Sequence, residues 1–244
     1  MHCADEGDDR RVSDYGRFAY EPVMDLDTGR AVGLEVRRLQ ARDLMHGTGG
    51  TVASSRQAGD VDAGVTVTAV LGAVAAGLDA ALHVDVLGET ALTAREVLGR
   101  LPGALLRDGH LPPVLLEIAG LPTWAAAGDL TRAVAELREA GFLIALDGVE
   151  ARYGLEVVAA VAPDLAKLGP PLVGRLDDDP HARTVAAAVV SVCDSAGVPV
   201  AADGVATREQ LDILLDLGVR LAQGPLLAPA RPEPLAAGVL LPWA

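Results

Sequence analysis

Short apolar runs of strand length alternate with longer segments of helix length along most of this chain. Three joints show the alternation clearly, because a helix-like segment, a glycine and an apolar run follow one another at Gly141, Gly197 and Gly218. A glycine just past a helix supplies the left-handed conformation that ends it. Such alternation predicts βα units arranged around a mainly parallel sheet.

The alternation predicts eight strands, at 18–26, 31–36, 81–86, 114–118, 142–146, 165–168, 198–202 and 221–226. Helices are predicted around 63–78, 90–100, 129–140, 153–161, 181–196 and 207–217, the last opened by the capping-box pair Thr207 and Gln210. The polar stretch 40–62, rich in glycine and serine, is predicted to be one long loop. Residues 1–14 are predicted to form a disordered acidic tail. Residues 15–244 form one domain of the size usual for an eight-stranded (β/α) barrel, and an antiparallel first strand is left open.

Charge and composition exclude several functions. The formal net charge is −14, and an acidic surface disfavours DNA, RNA and a membrane surface, since phosphates are bound through Lys and Arg. The two cysteines, Cys3 and Cys193, form no disulfide framework and are typical of a reducing cytoplasm. The sequence shows neither a signal peptide nor an apolar run approaching the ~18 residues of a membrane span. We therefore expect a soluble, cytoplasmic protein.

Polar residues interrupt seven of the apolar strands at or near their C-terminal ends: Glu35, Asp85, Glu117, Asp147, Lys167, Asp203 and Gln223. In a (β/α) barrel these ends meet at one rim, where active sites lie. Any single Asp or Glu after a strand is more often a helix cap or a turn residue, and Asp147 and Asp203 each precede a glycine.

Glu35 and Glu117 are harder to explain as turn residues, because each has apolar neighbours on both sides. A carboxylate in such a place needs a cation or hydrogen-bond donors to offset its desolvation. Lys167, the only lysine in the chain, is one candidate partner. A hard divalent ion such as Mg²⁺ or Mn²⁺ is the other.

Six segments, in order and with regular gaps, carry a family resemblance: YEPVMDLDTGRAVGLEVRRL, LLEIAG, GFLIALDGVEARYG, LAKLG, VAADGVATREQLDILLDLGV and AQGPLLAPA. They resemble the segments of EAL domains that contain Glu-Ala-Leu, Glu-Ile-Thr-Glu, Leu-Asp-Asp-Phe-Gly, Ile-Lys-Ile-Asp, Ala-Glu-Gly-Val-Glu and Gln-Gly-Tyr. The resemblance runs from about 20 to 232. It implies a single TIM-like (β/α)8 barrel of the EAL type and a link to cyclic di-GMP.

The resemblance also implies roles for individual residues. Active EAL domains use one or two divalent ions to activate a water that cleaves cyclic di-GMP to a linear dinucleotide. By position, Lys167 matches the lysine that orients water and phosphate, Asp203 matches the general base, and Gln223 matches the glutamine of the last strand. The matching ligands for a first Mg²⁺ or Mn²⁺ are Glu35, Asp85, Glu117 and Asp147.

Several positions depart from the family pattern. Gly148 stands at the second Asp of Asp-Asp-Phe-Gly, so the second metal site is expected to be lost. Asp203 is one methylene shorter than the family glutamate, which draws the base away from the water. Leu39 stands at the arginine that holds the ligand phosphate. Arg37 or Arg38 would be the substitute ligands, although the strand register is expected to point them elsewhere.

Three functions remain open on this basis. The altered rim on a preserved scaffold favours a degenerate, catalytically inactive EAL signalling domain that binds a protein partner or cyclic di-GMP. Survival of Glu35, Glu117, Asp147 and Lys167 favours an active, metal-dependent cyclic di-GMP phosphodiesterase instead. A third possibility is a vestigial pocket on a domain that serves in homodimerisation or docking, with 40–62 and 148–154 as its contact faces.

Overall fold

The computed structural model describes residues 18–38, 52–101, 112–123 and 125–232. Within these ranges eight strands close into a barrel in chain order. They are β1 (Phe18–Asp25), β2 (Arg30–Arg38), β3 (Ala81–Leu87), β4 (Val114–Ala119), β5 (Leu143–Asp147), β6 (Leu165–Leu168), β7 (Val200–Ala202) and β8 (Leu221–Ala222). β1 runs antiparallel to both β2 and β8, and the other neighbours are parallel. The predicted barrel is confirmed, with an antiparallel first strand.

Helices cover the outside of the barrel: α1 (Val52–Ala75), α2 (Gly88–Thr93), α3 (Arg95–Gly99), α4 (Ala127–Glu139), α5 (Val149–Arg152), α6 (Leu155–Val161), α7 (Pro170–Val173), α8 (Pro180–Ala196) and α9 (Arg208–Asp216). The three predicted helix-ending glycines, at 141, 197 and 218, have φ angles of 99°, 68° and 90°. The predicted capping box of α9 is also present. Thr207 Oγ1 accepts from the Gln210 N–H at 3.1 Å, and Gln210 Oε1 accepts from the Thr207 N–H at 3.1 Å.

The prediction of one long loop over 40–62 is wrong for 52–62, which belong to α1; 40–51 and the predicted tail 1–14 lie outside the described residues. Tertiary packing explains the longer helix. Gly59 lets α1 approach α2 closely, since a Cβ there would come within 2.5 Å of Thr93 Oγ1. Asp62 accepts hydrogen bonds from the Leu87 N–H and the Thr90 hydroxyl at 2.9 and 2.5 Å. These contacts outweigh weak local helix propensity.

The last strand is shorter than predicted, because β8 ends at Ala222 rather than at 226. Gly224, with φ of 144°, turns the chain, and a Cβ at that position would meet the Val205 backbone. The turn holds the segment against the loop that follows β7. Gln223 therefore follows β8 directly and lies at the rim of the barrel.

α1 also corrects an expectation about hydropathy. Over Gln57–Ala75 it has the length and composition of a membrane span, with mean hydropathy 1.3, and a third of this stretch is buried. Core helices of soluble proteins meet the same criteria, so this is weak evidence for a membrane. α1 packs on α2 and β3.

Alternate residues of each strand point into the barrel, as the pleat requires. An apolar layer closes the interior, made of Leu115, Ala145, Leu165 and Ala201 with Leu221 against them. Two residues further along their strands, Glu117, Lys167 and Gln223 lie on the same inward face, and all three are buried. The barrel thus changes from apolar to polar at the C-terminal ends of its strands.

Candidate active site at the barrel mouth

Lys167 lies at the centre of the polar layer. Its ammonium donates hydrogen bonds to Glu35 Oε2 at 2.8 Å and to Glu117 Oε2 at 2.5 Å. The side chains of all three residues are at most 3% exposed. A buried charge without a partner costs several kcal/mol, so Lys167 is the counter-ion that makes two buried glutamates tolerable.

The protonation states in this triad follow from one cation facing two carboxylates. Burial alone would raise the pKa of Glu35, but Lys167 and Arg37 outweigh it and lower that pKa to about 2. At Glu117 burial dominates and raises the pKa to about 8 despite Lys167. Burial opposes the charge of Lys167, yet the facing carboxylates hold its pKa well above the usual value. The cations thus favour the ionised form of Glu35, whereas burial favours the neutral form of Glu117.

Two further side chains complete this layer. His83 Nδ1 is hydrogen-bonded to Glu117 Oε1 at 2.8 Å, and burial, aided by the charge of Lys167, lowers the pKa of His83 to about 4, so it is neutral. Gly33 makes room for this ring, since a Cβ there would come within 2.6 Å of His83 Nε2. Gln223 Nε2 donates to Glu35 Oε2, while the buried Gln223 Oε1 has no hydrogen-bond partner among the described residues. This amide oxygen can still accept a hydrogen bond or contact a cation.

Arg37 joins carboxylates from β1, from β2 and from the residue directly after β7. Its Nε lies 2.5 Å from Glu21 Oε2 and 3.0 Å from Glu35 Oε1. Its Nη2 donates to both oxygens of Asp203, at 3.0 and 3.2 Å. The expectation that Arg37 points away from the site is wrong, because residues two apart on a strand share a face. The side chain of Arg38 lies outside the described residues.

Sequence reasoning missed Glu21 and His83. Glu21 is the register partner of Glu35 in the β1–β2 pair, and burial raises its pKa to about 7. The same alternation places His83 on the inward face, two residues before Asp85. Burial also raises the pKa of Asp203. The signal for His83 was a period of two counted back from Asp85 on the same strand.

Three of the four predicted metal ligands come together. Glu35, Asp85 and Glu117 each offer an oxygen, and these oxygens lie within 4.8 Å of one another. Asp85 is exposed at the mouth, and the two glutamates are buried. This all-oxygen set has the chemistry that a hard ion such as Mg²⁺ or Mn²⁺ prefers. Asp147 stands apart from the group and lies 3.8 Å from Arg152 Nε.

The guanidinium of Arg152 lies next to Asp147. Gly148 has φ of 64°, and a Cβ built on it would lie 2.9 Å from Arg152 Nε and 3.1 Å from Arg152 Cδ. Tyr153 anchors the following segment, since its hydroxyl donates to the Ile118 carbonyl at 2.6 Å. The arginine therefore covers the backbone where the family pattern has its second aspartate.

Carboxyl groups outnumber cationic side chains among the described residues of the mouth, with Glu21, Glu35, Asp85, Glu117, Asp147 and Asp203 against Arg37, Arg152 and Lys167. Beside it opens a cavity of about 640 Å³ between α1 and the ends of β2 and β3. Valines line much of its wall, and Arg37, Asp85, Asp147 and Arg152 reach its rim. This volume lies in the range of small-molecule sites.

The sequence of this chain is similar to a known domain family and to several known proteins. The EAL domain model matches residues 11–230. The cyclic di-GMP phosphodiesterase RocR of Pseudomonas aeruginosa is 31% identical over 133 residues, which are 53% of this chain and 34% of RocR. The blue light- and temperature-regulated antirepressor BluF of Escherichia coli is 23% identical over 155 residues, 63% of this chain and 38% of BluF.

Among solved structures, the manganese and cyclic di-GMP complex of Klebsiella pneumoniae BlrP1 at pH 9.0 superposes with a TM-score of 0.71 and 25% identity. The match covers 88% of this chain and 55% of the BlrP1 chain. This chain spans little more than a third of the length of the two curated relatives.

Proposed function

Because the chain belongs to the EAL domain family, the family of cyclic di-GMP phosphodiesterases, we propose that it binds cyclic di-GMP at the barrel mouth and cleaves it slowly or not at all. One observation carries this proposal. Both carboxylate oxygens of Asp203, which the resemblance places at the general base, face Arg37 Nη2 at 3.0 and 3.2 Å.

A general base must reach the water from which it takes a proton. Asp203 is shorter than the family glutamate, and its carboxylate already accepts from a guanidinium that holds it against β2. Arg152 above Gly148 adds a second cation where the family pattern has a metal-binding carboxylate. Both changes act against the chemical step and leave the scaffold in place.

Binding has its own support. Glu35, Asp85 and Glu117 would hold one Mg²⁺ or Mn²⁺, which when bound supplies positive charge for a phosphate oxygen. Lys167 would keep Glu35 oriented, and Arg37 and Arg152 border a cavity large enough for a nucleotide. The BlrP1 structure contains manganese and cyclic di-GMP, which supports the same ligand class here.

A protein partner would transmit the signal. The similarity to BluF, described as an antirepressor, supports an output through protein contact. A homodimer is the alternative output. Co-purification of a partner whose retention depends on cyclic di-GMP would support the first; a dimer that forms and dissociates with the nucleotide would support the second.

An active phosphodiesterase is the second candidate. The observation that favours it is the close approach of Glu35, Asp85 and Glu117 oxygens beside an intact Lys167. In this case Arg37 would leave Asp203 when substrate and metal bind. Release of linear dinucleotide in Mg²⁺ or Mn²⁺ at more than one turnover per minute would favour this candidate.

The proposed binding is tested by calorimetric titration with cyclic di-GMP in Mg²⁺, in Ca²⁺ and in EDTA. We expect micromolar or tighter binding with either ion and weaker binding in EDTA, since carboxyl groups outnumber cations at the mouth and an ion would supply positive charge for a phosphate. The matched control is Asp85→Ala, which removes an exposed ligand and should reduce the gain from the ion. An absence of heat in all three buffers would overturn the proposal.

A further inference from the structure

Arg37 is an unusual cation for this site. It is the third residue of the segment that resembles Glu-Ala-Leu, where a leucine would be expected, and it points inward beside Glu35. Its guanidinium contacts Glu21, Glu35 and Asp203, which come from β1, from β2 and from the residue directly after β7. It therefore links the antiparallel and parallel parts of the barrel across the mouth.

Glu35 is shared between two cations. Its Oε2 accepts from Lys167 at 2.8 Å and from Gln223, while its Oε1 lies 3.0 Å from Arg37 Nε. Both oxygens that a metal ion could use therefore already have partners. A divalent ion that takes Glu35 as a ligand must therefore approach against the positive charges of both Lys167 and Arg37.

The two cations differ in how easily they can leave. Lys167 is 1% exposed and is enclosed by the barrel wall. The side chain of Arg37 is 37% exposed and borders the cavity of about 640 Å³, so its long side chain can rotate towards solvent. The guanidinium fork suits phosphate as well as carboxylate groups, so an anion in the cavity offers it another partner. Arg37 is thus the replaceable counter-ion.

We propose that Arg37 is a built-in counter-ion that competes with a divalent cation for Glu35 and thereby sets the metal affinity of the mouth. Where a metal binds, Arg37 is released from Glu35 into the cavity. There its guanidinium can meet an anionic ligand. Metal loading and ligand recognition are coupled through one side chain. Because the proposed function places an ion at Glu35, Asp85 and Glu117, this role of Arg37 rests on that proposal.

The test measures Mn²⁺ binding by calorimetry without nucleotide, so it separates this inference from cyclic di-GMP binding. Arg37→Leu removes the competing charge and should bind Mn²⁺ about tenfold more tightly than the parent. Arg37→Lys keeps a cation at the same place and should stay within about threefold of the parent. Arg208→Leu, which removes an exposed arginine of α9 paired with Asp212, is the matched control and should change nothing.

Equal Mn²⁺ affinity in Arg37→Leu and the parent would overturn the proposal, as would equal tightening by Arg37→Leu and Arg37→Lys. Loss of Arg37 leaves three carboxylates close together and can unfold the domain, so thermal unfolding is followed in parallel. We expect saturating Mn²⁺ to raise the midpoint more in Arg37→Leu than in the parent. An Arg37→Leu protein that stays unfolded in saturating Mn²⁺ would show that an ion cannot replace the guanidinium.

Discussion

The buried triad of Lys167, Glu35 and Glu117 gives the sharpest prediction about stability. Lys167→Met removes the ammonium and keeps a side chain of similar length in a space that is 1% exposed. The two glutamates then face each other with no cation between them and no access to bulk water, since they are 3% and 0% exposed.

The magnitude follows from what is left behind. Breaking a buried ion pair by removing one partner costs about 3–5 kcal/mol. Glu35, whose pKa Lys167 and Arg37 hold near 2 against burial, loses its closest cation. We expect a loss of about 4 kcal/mol at pH 8, which at an m-value near 3 kcal/mol/M moves the urea midpoint by about 1.3 M. At pH 5 the glutamates can protonate, so the loss should be smaller.

Urea unfolding followed by circular dichroism in EDTA measures this loss. The double variant Lys167→Met with Glu117→Met removes the stranded carboxyl and should recover part of the loss. Arg208→Met breaks an exposed pair with Asp212 on α9 and should cost less than about 0.5 kcal/mol. A cost below about 1 kcal/mol for Lys167→Met at pH 8 would refute the reasoning, because the triad would then be hydrated.

Three further predictions concern other parts of the site. The pKa of Glu21 is raised to about 7 in the folded state, so its protonated form contributes stability that is full below about pH 4.5 and is lost as pH rises through 7. The decrease in the free energy of unfolding between pH 5 and pH 8 should therefore be about 3 kcal/mol smaller in Glu21→Gln than in the parent. An unchanged pH profile in urea unfolding would contradict this. Glu117→Gln should weaken Mn²⁺ binding at least about tenfold by calorimetry; indistinguishable binding would exclude Glu117 as a ligand. Gly33→Ala drives a methyl group into His83 and should cost about 1–3 kcal/mol, whereas Gly64→Ala, which meets open space on α1, should be neutral or stabilising by the same assay.

The sequence predicted the barrel because its strands and glycine joints are local signals. Helix-ending glycines such as Gly197 act within one turn, and apolar strands need only a period of two. The start of α1 was missed because Gly59 and Asp62 have weak helix propensity, whereas the close approach to α2 that Gly59 permits and the hydrogen bond from Thr90 to Asp62 favour the helix.

The site was predicted in part for a similar reason. A carboxylate between apolar neighbours requires a partner, so the pairing of Glu35 with Lys167 could be predicted from the sequence. The expected direction of Arg37 was wrong because Glu35 and Arg37 are two apart on β2 and therefore share a face. The position of Arg152 over Gly148 depends on a left-handed glycine followed by one helical turn, which spacing alone does not reveal.

Single-turnover hydrolysis tests the central claim most directly. Purified protein in excess over cyclic di-GMP is incubated in Mn²⁺, and the linear dinucleotide is quantified by anion-exchange chromatography over hours. Calorimetry under the same conditions establishes that the nucleotide is bound. The account predicts bound cyclic di-GMP that remains cyclic. Conversion of the bound nucleotide within minutes would contradict it and would show that Asp203 works as a base despite Arg37.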